Sequence, residues 1–355
     1  STSALSGNAN WTEYDNTDGT GHPRGYDIAY GKNASGNGIF VCSRDSGTRE
    51  LQVSGEDVSV THDWSVINLS PSADQYIVRW AASSSGAATG VWMCGGFING
   101  KLYRSIDGAQ TFSQISPSGI GADNITGLAS DGAGKWAFGS DGKFFISTDD
   151  GATFTSSNPW SSGGTPGNHR GIVYTNNSWV VIYQRSNTIY ARSCAASDIT
   201  DWGTEFQPTI TYNDGSPDGS GTPNKTKNPK NPTSNVSKAN CEGVSGVICL
   251  AMTDDDGIFK FSVDGKVITN SSASHGVGGK WFLVDGTYEG VPGYVTANGF
   301  DDITTDGNGA WMTANVNGDA YLSTDNGVTW TQAVDAFDGG ADDWNGIAAS
   351  VTFPL

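Results

Sequence analysis

Apolar residues come in short runs, each closed off by Gly, Asn, Asp, Ser or Thr, and successive runs are separated by only a few residues. Arg24-Gly-Tyr-Asp-Ile-Ala-Tyr is followed by Gly38-Ile-Phe-Val, Tyr76-Ile-Val-Arg-Trp by Val91-Trp-Met, and Arg170-Gly-Ile-Val-Tyr by Ser178-Trp-Val-Val-Ile-Tyr. Runs this short, bounded by turn formers and rich in β-branched and aromatic residues, predict strands joined by tight turns rather than helices. A Trp-led run recurs at Trp136-Ala-Phe and Trp311-Met, in each case after a short strand pattern and a glycine turn.

One phrase is written three times: Ser105-Ile-Asp107-Gly-Ala-Gln-Thr111-Phe112, Ser147-Thr-Asp149-Asp-Gly151-Ala-Thr153-Phe154 and Ser323-Thr-Asp325-Asn-Gly327-Val-Thr329-Trp330. Fixed spacing in distant copies marks a reused structural unit. An apolar run precedes each copy and an aromatic closes it, so each predicts strand, tight turn, strand. The Asp carboxylate can accept from backbone N–H groups in the turn while the hydroxyls cap others. Gly supplies a positive φ without steric cost. In the first copy Gly108 comes one position early and Ala109 fills the usual glycine place. Ser105, Asp107, Thr111, Phe112, Ser147, Asp149, Gly151, Phe154, Ser323, Asp325, Gly327 and Trp330 are therefore expected to serve as structural corner residues.

The phrase resembles the Asp-box of sialidase-like β-propellers. That resemblance implies an all-β chain folded as a single β-propeller of four-stranded antiparallel blades over residues 1–355. Four strands in roughly 40 residues is the blade spacing of such repeats. Six blades are expected: Arg24 to about Leu69, Tyr76 to the first box, Asn124 to the second, one from Arg170 without a box, Cys241 to Asn270 with a degraded box at Ser262-Val-Asp264-Gly265, and Gly299 to Gln332. A seventh follows if Lys280 to Thr296 or the termini supply it. Residues 344–355 read as a ring-closing strand opened by Trp344-Asn-Gly-Ile, which would remove an exposed edge.

Residues 209–240 fit no blade. They combine Pro, Asn, Gly and Ser with Lys225, Lys227, Lys230 and Lys238 and scarcely an apolar residue, a composition that predicts a long exposed loop. Its positive charge stands out on a chain of net charge −18, which makes it a candidate assembly contact. Loops between blades are further expected to carry Trp160, Trp202, Tyr212, Tyr288 and Trp344, aromatics able to stack on sugars or anchor a protein partner.

Charge and composition narrow the classes. An acidic chain argues against nucleic acid, which requires clustered Lys and Arg. Of 37 acidic residues six are Glu, leaving 31 Asp, so most of this charge belongs to turns. No apolar stretch is long enough to span a membrane. Five cysteines preclude complete internal pairing. Cys42, Cys94 and Cys249 sit in apolar strand contexts and are expected to be small buried hydrophobes, while Cys194 with Cys241 is a candidate bridge. The beginning, Ser-Thr-Ser-Ala-Leu, is no signal peptide and with reduced thiols favours folding in a cytoplasm.

Candidate chemistry is sparse. Sialidases clamp a carboxylate with three arginines, and their Arg-Ile-Pro phrase is missing here. Arg24, Arg79, Arg104, Arg170, Arg185 and Arg192 remain, and a Tyr nucleophile would need a partner among Glu13, Glu50, Glu56, Glu205, Glu242 and Glu289. A glycosidase working through two Asp residues is the competing reading. Asp254-Asp255-Asp256, Asp301-Asp302 and Asp342-Asp343 could offer oxygen to Ca²⁺, yet none forms a recognisable calcium loop, and no cofactor is expected. His22, His62, His169 and His275 lack metal-ligand spacing. Composition and repeats together resemble bacteriophage virion proteins: tail appendages, receptor binders or capsid decorations. The expected partners are other virion proteins or a host-surface glycan or protein, and the alternative is a secreted glycoside hydrolase.

Overall fold

The computed structural model describes residues 24–45, 50–55, 64–69, 75–96, 101–121, 123–140, 142–160, 168–185, 188–207, 210–212, 225–227, 243–244, 247–251, 258–270, 300–305, 309–315, 320–324 and 331–334. They form antiparallel sheets whose strands follow one another in sequence order, and together the sheets make a single β-propeller.

Blade I is β1 (Arg24–Lys32), β2 (Gly38–Asp45), β3 (Glu50–Ser54) and β4 (Trp64–Asn68). Blade II is β5 (Gln75–Ala81), β6 (Val91–Gly96), β7 (Leu102–Ser105) and β8 (Ser113–Ile115). Blade III is β9 (Ile125–Ser130), β10 (Trp136–Ser140), β11 (Lys143–Ser147) and β12 (Thr155–Ser157). Blade IV holds only β13 (Asn168–Thr175), β14 (Ser178–Arg185) and β15 (Thr188–Ala195). A hairpin of β16 (Ile210–Tyr212) and β17 (Lys225–Lys227) follows. Blade V is β18 (Gly243–Val244), β19 (Val247–Ala251), β20 (Ile258–Asp264) and β21 (Val267–Asn270). Blade VI is β22 (Phe300–Thr305), β23 (Trp311–Asn315), β24 (Ala320–Ser323) and β25 (Thr331–Val334). The first strands pack in succession, β1 on β5, β5 on β9, β9 on β13 and β13 on β18, which makes them the innermost strands of a radial array.

Complete four-stranded blades among the described residues therefore number five, not the expected six. Blade IV has no corner motif after its third strand, and the chain there turns away at Ala196–Thr200. The chain returns to pair with β15 at two points: Phe206 forms one bridge with Ala191 whose two hydrogen bonds are both 2.8 Å, and the Gly203 amide donates to Ser193 O at 2.8 Å. The segment 209–240 is likewise not wholly irregular, since β-branched Thr211 and Thr226 oppose each other in the short hairpin. The ring-closing strand expected at 344–355 and the extra strand expected at 280–296 lie outside the described residues.

Blades II and III are each covered on both faces by neighbours, which explains why their central strands read as continuous apolar runs. Along β6, Trp92 and Cys94 enter the core between blades I and II while Met93 enters the next one. Along β11, Phe144 and Ile146 face blade IV and Phe145 faces blade II. Trp92, Trp136, Trp179 and Trp311, each near the start of a second strand, are all fully buried. Large flat side chains at one repeated position give a core to a chain with few aliphatics.

Candidate functional site

In each blade the third strand runs parallel to the first, so the turn after strand three and the turn after strand one share a face. On that face the two described corners are held by hydrogen bonds to their Asp side chains. Asp107 Oδ1 accepts from Ser105 Oγ (2.7 Å) and from the Gln110 and Thr111 amides (3.0 Å each), and its Oδ2 accepts from Thr111 Oγ1 at 2.5 Å. Asp149 repeats this with Ser147 Oγ (2.6 Å), the Thr153 amide (2.9 Å) and Thr153 Oγ1 (2.6 Å). Partial burial tends to raise both carboxyls, but these donors outweigh it: Asp107 stays below its ordinary value and Asp149 is held at about 2. Phe154 packs edge-on against Phe138 with centroids 5.0 Å apart, and Phe112 lies against the core between blades I and II. Ser323 is buried at the third corner, whereas Asp325, Gly327 and Trp330 lie outside the described residues.

Sequence reasoning missed what these turns do to one another. Asp150, beside the corner Asp, reaches into blade II: it accepts from the Ser84 amide (2.9 Å), Ser84 Oγ (2.7 Å) and Ser83 Oγ (2.9 Å). Arg104 Nε donates back to the Asp150 carbonyl at 2.7 Å. Elsewhere the same two turns meet through other atoms. Lys135 Nζ donates to Ala196 O (3.4 Å) between blades III and IV and Asn176 Nδ2 to Val263 O (2.8 Å) between IV and V, whereas between blades I and II the donor is a second-strand side chain, Trp92 Nε1, to Lys32 O (2.9 Å). The third-to-fourth corners of blades III, IV and V thus clasp the first-to-second turns of the preceding blades. A longer hydrogen-bonding reach of Asp150 into a Ser-Ser-Ser run was the one available sequence signal.

The expected aromatic contacts are corrected. Trp160 is 6% exposed and Trp202 is 3% exposed, both in the core between blades III and IV, where Trp202 stands edge-on to Phe144 at 5.0 Å. They pack between blades III and IV and are not presented to solvent. Tyr212, Lys225 and Lys227 have their backbones in the β16–β17 hairpin, and Lys230, Tyr288 and Trp344 lie outside the described residues. Cys194 is a free thiol in the same core, its pKa pushed up to about 12 chiefly by burial, so the considered bridge to Cys241 is not formed. Cys94 is buried as expected, and Cys42 is half-buried.

Arg79, Arg104, Arg185 and Arg192 each have partners, and the side chains of Arg24 and Arg170 lie outside those described. Arg79 pairs with Asp27, which is 1% exposed, at 2.6 Å across the innermost strands of blades I and II, and Arg192 donates to Pro159 O at 2.8 Å. Arg185 pairs with Glu205 and lies over the Tyr190 ring at 4.2 Å. Glu205 also accepts from Tyr183 OH at 2.6 Å, so a Tyr–Glu pair is present. Yet Tyr183 is 0% exposed, and burial, followed by the Glu205 hydrogen bond and charge, pushes its phenol far above the ordinary value. A sealed, protonated phenol is not a nucleophile. The pair pins the segment after β15 against blade IV. Among the described residues no three His, Cys, Asp or Glu side chains group as a metal site.

These features define a β-propeller whose blades are fastened by turn-to-turn clasps. Neither a protein-family model nor a curated protein matches the chain. Among solved structures, YCF48 bound to a D1 peptide aligns with a TM-score of 0.48 and 13% identity over 88% of this chain and 81% of that one. YCF48 from Cyanidioschyzon merolae aligns with a TM-score of 0.43 and 12% identity, covering 87% and 84%.

Proposed function

We propose that this chain is a noncatalytic propeller that acts by binding, as a virion component docked to neighbouring proteins or to a host-surface protein or glycan. The observation that carries this is the use made of its side chains: Asp107, Asp149 and Asp150 are each saturated by turn or neighbouring-blade donors. Carboxylates held ionised by several hydrogen bonds are poor proton donors for bond cleavage. What the clasps produce instead is a stiff ring with loops held at fixed positions, a scaffold for recognition. The strongly acidic composition fits a protein kept soluble at high local concentration.

A glycan array run alongside a reducing-sugar assay tests the reading. Retention on the array, or on purified particles in a sedimentation assay, with no sugar release is the expected result. Release of reducing sugar that one Asp substitution abolishes would establish the hydrolase instead.

A further inference from the structure

An outermost strand presents a free edge, and sheets blunt such edges by shortness, charge, proline or bulges. Here the protection is uneven. β8 and β12 are three residues long, and β21 and β25 are four. β4 is the longest at five, Trp64-Ser-Val-Ile-Asn68, and contains neither a charge nor a proline. It pairs with β3 along its whole length, from Glu50 opposite Asn68 to Ser54 opposite Trp64, without a bulge. Among the described residues no strand pairs with its other side. Val66, at its centre, is 44% exposed.

The ladder phases fix which groups this edge offers. The Asn33 amide donates to Asn37 O at 2.8 Å, so these two opposed residues are a hydrogen-bonded pair, and pair types then alternate along β1 and β2. Odd-numbered residues of β2 thus bond to β1 and even-numbered ones to β3. Carried through Cys42 opposite Gln52 and Leu51 opposite Ile67, the alternation turns the N–H and C=O of Ser65 and Ile67 toward β3. Those of Trp64, Val66 and Asn68 point outward. This outward set is symmetrical about Val66. A second β4, laid antiparallel on a two-fold axis through Val66, sets Trp64 opposite the second copy's Asn68 and the two valines opposite each other, each as a hydrogen-bonded pair. Every outward N–H and C=O of both strands is then used. A slip of one residue would set outward groups against inward ones.

We propose that β4 is a self-association edge and that its partner is β4 of a second copy of this chain, joined into one sheet continuous through blade I of both. This goes beyond the binding reading above and does not depend on it. A two-fold contact needs one self-complementary patch, and this strand complements itself in hydrogen bonding and in its lack of charge. The side chains agree. Trp64, Val66 and Asn68 share one face, so the two valines meet at the axis and each half-buried indole lies diagonal to the second copy's Val66. On the other face Ile67 packs against the core between blades I and II, which holds the strand in place before pairing. The net charge of −18 on each copy opposes association until salt screens it.

Sedimentation equilibrium of the whole chain at low and high salt, with amide hydrogen exchange over a concentration series, tests this. The expected result is a weight-average mass that rises with concentration from one chain toward two, and does so more readily at high salt. Exchange should slow with concentration at Trp64, Val66 and Asn68 and stay constant at Ser65 and Ile67, whose amides already bond to β3. Val66→Pro removes an N–H that points away from β3, so the melting temperature should hold while association weakens at least about tenfold. Val66→Lys should weaken it comparably by opposing like charges at the axis. Val267→Lys, at the 57%-exposed valine of β21, should associate as the parent does. A single chain at every concentration and salt would overturn the proposal. So would association that Val66→Pro retains, an equal loss in Val267→Lys, or concentration-dependent protection at other amides instead.

Discussion

The two described corners solve one problem with opposite residue orders. Both need two consecutive left-handed residues: φ is +73° at Gly108 and +64° at Ala109, against +57° at Asp150 and +74° at Gly151. The first corner places glycine first, the second places it last. The cause lies in the preceding blade. Blade I closes its first turn in five residues, Asn33–Asn37, held by Asn33 Oδ1 accepting from the Ser35 and Asn37 amides, and this brings its backbone against Gly108. A Cβ on Gly108 would sit 2.1 Å from Ala34 N. Blade II uses a nine-residue turn, Ala82–Gly90, whose serines stand back far enough for an Asp side chain to bridge the gap. At the second position the crowding is reversed, because a Cβ on Gly151 would meet Met93 Sδ at 2.6 Å, whereas the Ala109 methyl joins the core of blades I and II. Each left-handed position is thus chosen by its neighbour, not by the corner's own geometry.

Exchanging the residues breaks the comparison most directly. Gly108→Asp adds a positive-φ penalty and a backbone clash that flexible atoms cannot relieve, and is expected to cost about 3–5 kcal/mol in urea unfolding. The reciprocal Asp150→Gly removes three hydrogen bonds but relieves the left-handed conformation, so its expected cost is about 1–2 kcal/mol. Hydrogen exchange should show this loss concentrated at the Ser83–Ser85 turn. Equal costs for the two variants would mean that the turns do not discriminate.

The same contrast explains how much was legible beforehand. Strand positions, blade order and the carboxylate–hydroxyl corners follow from local spacing, since turn chemistry within eight residues fixes them. What Asp150 holds does not, because Ser83 and Ser84 lie more than sixty residues away and their approach depends on turn length. Trp160 and Trp202 depart from the sequence expectation for a related reason. Their local sequence is a loop, but each packs in the core between blades III and IV against a partner distant in sequence, Trp160 on Tyr183 and Trp202 on Phe144. The one-residue slips in the ladders of β1, β5, β9, β13 and β22 carry no sequence signature, because the residues left out, Tyr26, Tyr76, Thr126, Arg170 and Asp301, are of four different types. Register is a property of the pair of strands.

Acid sharpens the likeness between the corners rather than their difference. Asp149 falls from 3.8 to about 2 on folding. A depressed carboxyl contributes stability that is complete above its unfolded value and is lost as pH drops through its folded one. Asp149 is exposed, so after screening the contribution is about 1 kcal/mol. Stability should therefore decline between pH 4 and 2, and the decline should be smaller in Asp149→Asn. Identical acid profiles for the two proteins would show that Ser147 and Thr153 favour the ionised carboxylate less than the hydrogen bonds imply.

The smallest effect is the most discriminating. Ala109→Gly converts the first corner's second left-handed position to the residue that the second corner uses there. Relief of the left-handed conformation contributes about 1 kcal/mol or more, opposed by the added chain entropy of glycine at about 0.5–1 kcal/mol. The lost methyl is buried in the core with Val41, Val78 and Trp92, and burial of one such group is worth about 0.8 kcal/mol. The opposing contributions nearly cancel, and the expected change in unfolding free energy is within about 0.5 kcal/mol. A gain well above that would mean that the methyl contributes nothing and that Ala109 is tolerated despite its strain. A loss above 1 kcal/mol would mean that packing against blade I, and not the turn, determines the residue here, as it does one position earlier at Gly108.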